Sequence, residues 1–277
     1  MPELPEVETV RRGLEQRVVG RRIDRVEVHG LRTVRRTSPQ AVVDGLTGAT
    51  ITAAGRRGKY LLCPLDTGRL LFVHLRMTGQ LVLAPAGAPR SVHTHVVLGL
   101  DGDELRFVDQ RTFGEVAVVD PDNLVAEAPD IAALGVDPLV DGLDRPMLRR
   151  ILLGHRRQAK ALLLDQHVIA GLGNIYVDEI LHSARVRPER RSDTLHGREI
   201  TRLHAAVHDV LGRAVDAGGS SLGDAQYVDL MGNGGGFQVD HLVYGRGGQR
   251  CRTCSRGIVE RRVVAGRSAH YCPRCQV

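Results

Sequence analysis

The chain has 277 residues, 42% hydrophobic and 25% charged, ordinary globular values with room for one large domain or two smaller ones. No apolar run approaches the ~20 residues that cross a bilayer. Met1-Pro2-Glu3 offers neither a basic leader nor an apolar core, so no secretory signal is predicted and the chain is expected to be soluble and cytosolic. The formal charge of +6 points to a polyanionic partner, most sharply over Arg246–Val277, where eight arginines accompany one acid, Glu260. Lysine occurs only at Lys59 and Lys160, which singles both out, because lysine can give up a proton near neutral pH and arginine cannot.

In chain order, Val7, Val10, Leu14 and Val18 recur at helical spacing and predict a first helix ended by Gly20. Pro5 suits its first turn, and Glu3, Glu6 and Glu8 complement its positive end. Short strands are then predicted to about Asp120. Ile23–Val28 alternates, Tyr60–Leu65 and Leu70–Leu75 flank Asp66-Thr67-Gly68, and Val96–Leu100 and Glu104–Val108 flank Asp101-Gly102-Asp103. Many short strands joined by tight turns predict an antiparallel sandwich or barrel. Asp120–Asp144, rich in Pro, Asp and Ala, is expected to contain a hinge. Beyond it the pattern turns helical over Met147–Leu153, Ala159–Leu164, Ile175–Ala184 and Glu199–Ala217. The glycine-rich stretch Gly232–Gly236 reads as a mobile loop, and no Lys-Ser/Thr follows it to make a nucleotide-phosphate loop.

Cys251-x2-Cys254, seventeen intervening residues and Cys272-x2-Cys275 make two close thiolate pairs that match tetrahedral zinc, with a hairpin between them. A cytosolic chain disfavours the alternative of two disulfides. Four protein ligands leave no open position, so the expected zinc is structural. Arg256, Arg261, Arg262 and Arg267 between the pairs could track a phosphate backbone or simply form a solvated surface. Cys63, in an apolar strand, reads as a small buried hydrophobe.

Pro2 follows Met1, so removal of the initiator methionine is expected to expose a secondary amine. Such amino groups titrate near ~8, and a useful fraction is neutral and nucleophilic at neutral pH. Glu3 and Glu6 can place carboxylates beside it. Taken alone, Pro-Glu-x-Pro-Glu is more often an ordinary acidic helix start.

Six segments, in order, carry a resemblance: Met1–Thr9 (Met-Pro-Glu-Leu-Pro-Glu-Val-Glu-Thr), Arg57-Gly58-Lys59-Tyr60-Leu61, His74-Leu75-Arg76-Met77-Thr78-Gly79, Asp109-Gln110-Arg111-Thr112-Phe113-Gly114, Leu164-Asp165-Gln166 with Gly171–Tyr176, and the closing cysteine module. Together they resemble the formamidopyrimidine-DNA glycosylases along the whole chain. The resemblance implies an α+β multidomain protein. A β-sandwich catalytic domain with an N-terminal helix would occupy 1–133, a helix–two-turn–helix domain 134–241 and a zinc hairpin 242–277. It also implies a nucleoid-associated monomer in the cytoplasm that acts on damaged double-stranded DNA lying in a cleft.

The implied activity is excision of 8-oxoguanine and formamidopyrimidines, followed by β- and δ-elimination. Pro2 would attack C1′ and form a Schiff base, Glu3 would assist ring opening, Glu6 would position the helix start and share the proton relay, and Lys59 would protonate or contact phosphate at the lesion. Arg267 would clamp the adjacent phosphate, a binder first because its guanidinium holds its proton above pH ~12. Asn174 would sit at a phosphate-binding helix start, the alternative being a plain cap. His74 and His93 would contact backbone, although a strand histidine is more often structural, and Arg156 is the choice within the ridge His155-Arg156-Arg157. Met77, Arg111 and Phe113 would fill the gap left by an extruded base, with Arg111 facing the orphaned cytosine. Without that context Met77 and Phe113 read as core.

Arg76, Thr112 and Gln110 depart from the family's usual Gly, Arg and Pro. Leu4, where the endonuclease VIII-like branch has Gly, favours the purine branch. A second class of reading, a zinc-hairpin protein that recognises lesions without cutting, is disfavoured by the intact Pro2, Glu3, Glu6 and Lys59.

Overall fold

The periodic valines of the opening stretch form α1 (Leu4–Arg17) in the computed structural model, which describes residues 1–223 and 227–277. Val7, Val10 and Leu14 are buried on one face, and Val18 follows as the C-cap, so the helix stops before Gly20. Burying each such side chain contributes about 1.5–3 kcal/mol. Glu3 and Glu6 form a reciprocal capping box at the N-terminus, with Pro5 in the first turn where its missing N–H costs nothing.

After β1 (Arg25–Val28) and α2 (Pro39–Leu46) come β2 (Gly55–Arg57), β3 (Tyr60–Pro64), β4 (Leu70–His74), β5 (Gly79–Pro85), β6 (Thr94–Leu100), β7 (Asp103–Asp109) and β8 (Glu115–Val119). Two four-stranded antiparallel sheets result, ordered β1-β6-β7-β5 and β2-β3-β4-β8. Inward positions of each share one core: Leu61, Leu71, Val73 and Val116 from one sheet, Leu81, Leu98, Leu105 and Phe107 from the other. Strand alternation therefore becomes a sandwich, with α1 contributing to the same core.

Within Asp120–Asp144 lie two single-turn helices, α3 (Leu124–Glu127) and α4 (Pro129–Ala132). The helical half follows as α5 (Arg145–Leu153), α6 (Ala159–Leu163), α7 (Asn174–Ala184) and α8 (Gly197–Asp216), then the hairpin β9 (Glu260–Val264) and β10 (Arg267–Tyr271). The chain divides into two compact units, Met1–Ala133 with Val215–Gln238, and Leu134–Ala214 with Val239–Val277. Residues 215–238, assigned by sequence to the helical domain, therefore belong to the first unit. Their anchors explain it: the Leu83 amide donates to the Leu230 carbonyl (2.8 Å), and Leu230 and Tyr227 lie in the sandwich core.

Gly232–Gly236 is not a free loop. Gly236 pairs with Ser220, the Gly235 amide donates to Ser221 Oγ (2.9 Å), and Asn233 is bonded through its amide to Asp229 (2.8 Å). A Cβ on Gly235 would lie 2.3 Å from the Gly219 carbonyl oxygen, so close backbone approach accounts for the glycine there.

Candidate functional site

The first unit gathers most of the candidate residues. Pro2, Glu3 and Glu6 are buried at the start of α1. One oxygen of the Glu6 carboxylate accepts the Glu3 amide (2.8 Å) and the other the Ser220 amide (2.7 Å). The Tyr227 hydroxyl donates to the Glu6 carbonyl (3.3 Å) and to that of Gly218 (3.1 Å). Glu6 thereby ties the helix start to the 218–220 turn, an arrangement suited to holding residue 2 in place.

Lys59 occupies the two-residue turn between β2 and β3 and is 7% exposed. The turn is braced by the buried Arg56, which donates to the Gly58 carbonyl (2.7 Å) and pairs with Glu8 of α1 (3.1 Å). Burial alone would raise the Glu8 carboxyl, but Arg11 and Arg56 hold it below its ordinary value. Glu8, read from sequence only as a helix-end acid, is thus a link between α1 and the lysine turn. Arg56, 48 residues away, had no sequence signal of its own.

His74 ends β4 and is buried, packed edge-on against Tyr60 at 4.3 Å. Burial, then Arg76 and Lys59, push its pKa well below the ordinary histidine value. Its Nδ1 accepts the Arg76 amide (2.9 Å), which leaves the proton on Nε2 of a neutral ring. Tyr60 in turn donates to Asp130 (3.0 Å), and burial followed by that carboxylate raises the phenol to about 12. Arg76 adopts φ +52°, the physical reason glycine suits that position.

Met77 and Phe113 are 37% and 51% exposed and Arg111 is exposed, so none of the three is a core residue. They stand on the β4–β5 and β7–β8 connections. His93, partly exposed, precedes β6 and lines a polar recess of about 350 Å³ together with Thr78, Thr94, Arg106 and Gln110.

In the second unit, Asn174 is the first residue of α7, with Gly173 as N-cap, so the plain-cap alternative does not hold. Its Nδ2 donates to Ser268 Oγ (3.3 Å), while its buried Oδ1 has no partner among the described residues. Along the ridge, His155 Nδ1 bonds the Ile151 carbonyl (2.7 Å) and Arg157 pairs with Asp165 (2.7 Å). The Arg156 side chain projects, 86% exposed, with a distant Asp193 at 4.0 Å its one ion-pair partner among the described residues. Arg267 begins β10 after the two-residue turn Ala265-Gly266, both residues with positive φ, and makes no ion pair among the described residues. Lys160 is buried against Asp178 (2.5 Å) and donates to the Ser268 carbonyl (2.6 Å), while Asp178 accepts the His270 amide (2.8 Å).

The sulfurs of Cys251, Cys254, Cys272 and Cys275 all lie within 4.8 Å of one another, with Cys251–Cys275 at 3.8 Å and Cys254–Cys272 at 3.9 Å. A tetrahedron with metal–sulfur bonds of about 2.3 Å has edges of about 3.8 Å. None of the four is in a disulfide, and the cluster fits one structural zinc ion.

An antiparallel sandwich opened by Pro-Glu on a buried helix, a helical domain and a four-cysteine hairpin define a zinc-hairpin protein of the DNA-glycosylase class. Residues 1–116 match the formamidopyrimidine-DNA glycosylase N-terminal domain family, 134–226 its H2TH domain family, and 248–277 the zinc finger found in FPG and IleRS. The chain is 43% identical over 277 residues to formamidopyrimidine-DNA glycosylase of Pelotomaculum thermopropionicum, covering 100% of this chain and 99% of that protein. To the protein of the same name from Salinispora arenicola it is 46% identical over 281 residues, covering 100% and 96%. A crystal structure of Lactococcus lactis Fpg with DNA containing an abasic site superposes with a TM-score of 0.90 at 37% identity, covering 99% of each chain. A variant of that protein with DNA containing Fapy-dG does so equally at 38% identity. The chain belongs to the formamidopyrimidine-DNA glycosylase family.

Proposed function

We propose that this protein excises oxidised purines, 8-oxoguanine and formamidopyrimidines, from duplex DNA and then cleaves the strand at the resulting abasic site. The carrying observation is the start of α1, where Pro2 is buried beside Glu3 and Glu6 and the Glu6 carboxylate fixes the Glu3 amide and the 218–220 turn. Once Met1 is removed, the Pro2 nitrogen is a secondary amine with one lone pair. It forms a bond to C1′ as the damaged base departs with the glycosidic electron pair, and Glu3 supplies a proton as the sugar ring opens. The resulting iminium withdraws electrons, so loss of the 2′ proton expels the 3′ phosphate. A second elimination expels the 5′ phosphate, and water releases the enzyme.

Lys59 and the neutral Nε2–H of His74 serve as donors to phosphate or leaving group, and Arg267, Asn174 and Arg156 as phosphate binders. His93 contacts backbone. Met77, Arg111 and Phe113 occupy the space of the extruded nucleotide, at a cost of a few kcal/mol of unstacking to the DNA. Zinc, held by the four cysteines, keeps the hairpin that bears Arg267 folded. The working division is catalysis in 1–133, helical DNA binding in 134–241 and the hairpin in 242–277, with residues 215–238 packed in the first unit, in a monomer located with the nucleoid in the cytoplasm.

The test is borohydride trapping on duplexes containing 8-oxoguanine. A covalent adduct that maps by peptide mass spectrometry to residue 2 is expected. No adduct, or one on another residue, sinks the proline mechanism. Preference for thymine glycol over 8-oxoguanine would overturn the substrate class.

A further inference from the structure

We propose that Asp109, acting with Thr78, is a positioning residue that couples the two loops bearing Met77, Arg111 and Phe113, so that the three side chains enter DNA as one rigid wedge. The inference rests on the proposed role of those three side chains in filling the gap left by an extruded base.

Asp109 is 0% exposed at the end of β7. One carboxylate oxygen accepts the Thr78 hydroxyl, in the loop after Met77, and the Arg111 amide (3.1 Å). The other accepts the Gly114 amide (2.7 Å), directly after Phe113. The Arg111 amide is shared with Thr78 Oγ1 (3.2 Å), which closes the link between the loops. The backbone of the same residue is tied to the start of β6 and the residue before it, its amide donating to the His93 carbonyl (3.0 Å) and its carbonyl meeting His95 Nε2 (2.7 Å).

Packing repeats what the hydrogen bonds do. A Cβ on Gly79 would lie 2.9 Å from Phe107 Cζ, and one on Gly114 would lie 2.5 Å from the same atom and 3.0 Å from Asp109 Oδ2. Both loops therefore close onto one ring and one carboxylate. Thr112 is held at φ +55° between the fixed Arg111 and Gly114 amides. Exposed apolar tips on a loop would ordinarily fold back against the protein. Here the loops beneath them are bound at two backbone amides and one side-chain hydroxyl by a group shielded from water, where such bonds hold firmly. Arranged this way, the wedge needs no ordering when it displaces a base pair.

Thr78→Val removes one hydroxyl while keeping shape, and Asp109→Asn turns one acceptor into a donor facing another donor. Each is expected to lower the rate of wedge insertion into fully paired 8-oxoguanine DNA about tenfold, the effect of about one buried hydrogen bond. Insertion is read by stopped-flow fluorescence of 2-aminopurine beside the lesion. Mismatches flanking the lesion, which open the duplex beforehand, should restore both variants to the wild-type rate on that DNA, and Thr78→Ser should behave as wild type on both. Equal loss on paired and mismatched DNA for Thr78→Val, or no loss on paired DNA for either variant, overturns the inference. Strand cleavage by the wild-type protein in the same samples reads the proposed activity separately, since fluorescence reports insertion whether or not the base is excised.

Discussion

The Lys160 ammonium lies 2.5 Å from the Asp178 carboxylate, with both side chains at 0% exposure. Lys160 also holds the Ser268 carbonyl, one residue from Arg267, and Asp178 holds His270 at both its amide and its ring nitrogen. This pair joins α6, α7 and β10. Removing one member leaves a charge buried alone, which costs about 3–5 kcal/mol. Lys160→Met should therefore destabilise the second unit by that order, and pairing it with Asp178→Asn should recover part of the loss, as measured by urea unfolding. A double variant no better than the single would show that the two charges do not depend on one another.

Chelation of zinc is expected to abolish duplex binding while the β-sandwich remains folded. The hairpin core consists of Val243, Val259 and the four cysteines, too little apolar surface to hold without metal. Circular dichroism and gel shift in parallel check this. Loss of the β-sheet signal on chelation would contradict it.

Acid should weaken the second unit through its buried histidines. Burial, then Arg252, depress the His241 pKa to about 4, and burial depresses that of His182. Unfolded histidine titrates near ~6.5, so between that pH and about 4 the unfolded chain binds protons the folded one refuses. Stability is full above ~6.5 and falls as pH drops, at about 1.4 kcal/mol per pH unit for each such histidine. His241→Gln should flatten the dependence measured by chemical unfolding between those limits. An unchanged slope would remove His241 from the account.

Arg156→Ala should weaken binding to duplexes of any sequence and lower the salt slope of log K by roughly 0.9, the share of one phosphate contact. Arg157→Ala, whose guanidinium is paired with Asp165, should change the slope less. Titrations at several salt concentrations decide, and an unchanged slope for Arg156→Ala would remove it from the interface.

Local pattern alone determined a good deal here. The Cys-x2-Cys pairs specified the four metal ligands, because a tight turn brings such neighbours together in any fold. Helical spacing located α1, α5, α7 and α8 to within a few residues, since periodicity reports which face an element buries. Strands β2, β5 and β8 escaped notice, and β8 shows why: Glu115–Val119 is buried throughout, so no alternation marks it. Only the tertiary structure decided who holds the functional side chains. Glu6 meets Ser220 across 214 positions, Asp109 meets Thr78 across 31, and Lys160 reaches Ser268 across 108. Such pairings depend on where the backbone returns and on which polar groups burial leaves in need of partners, and neither is written in any local stretch of residues.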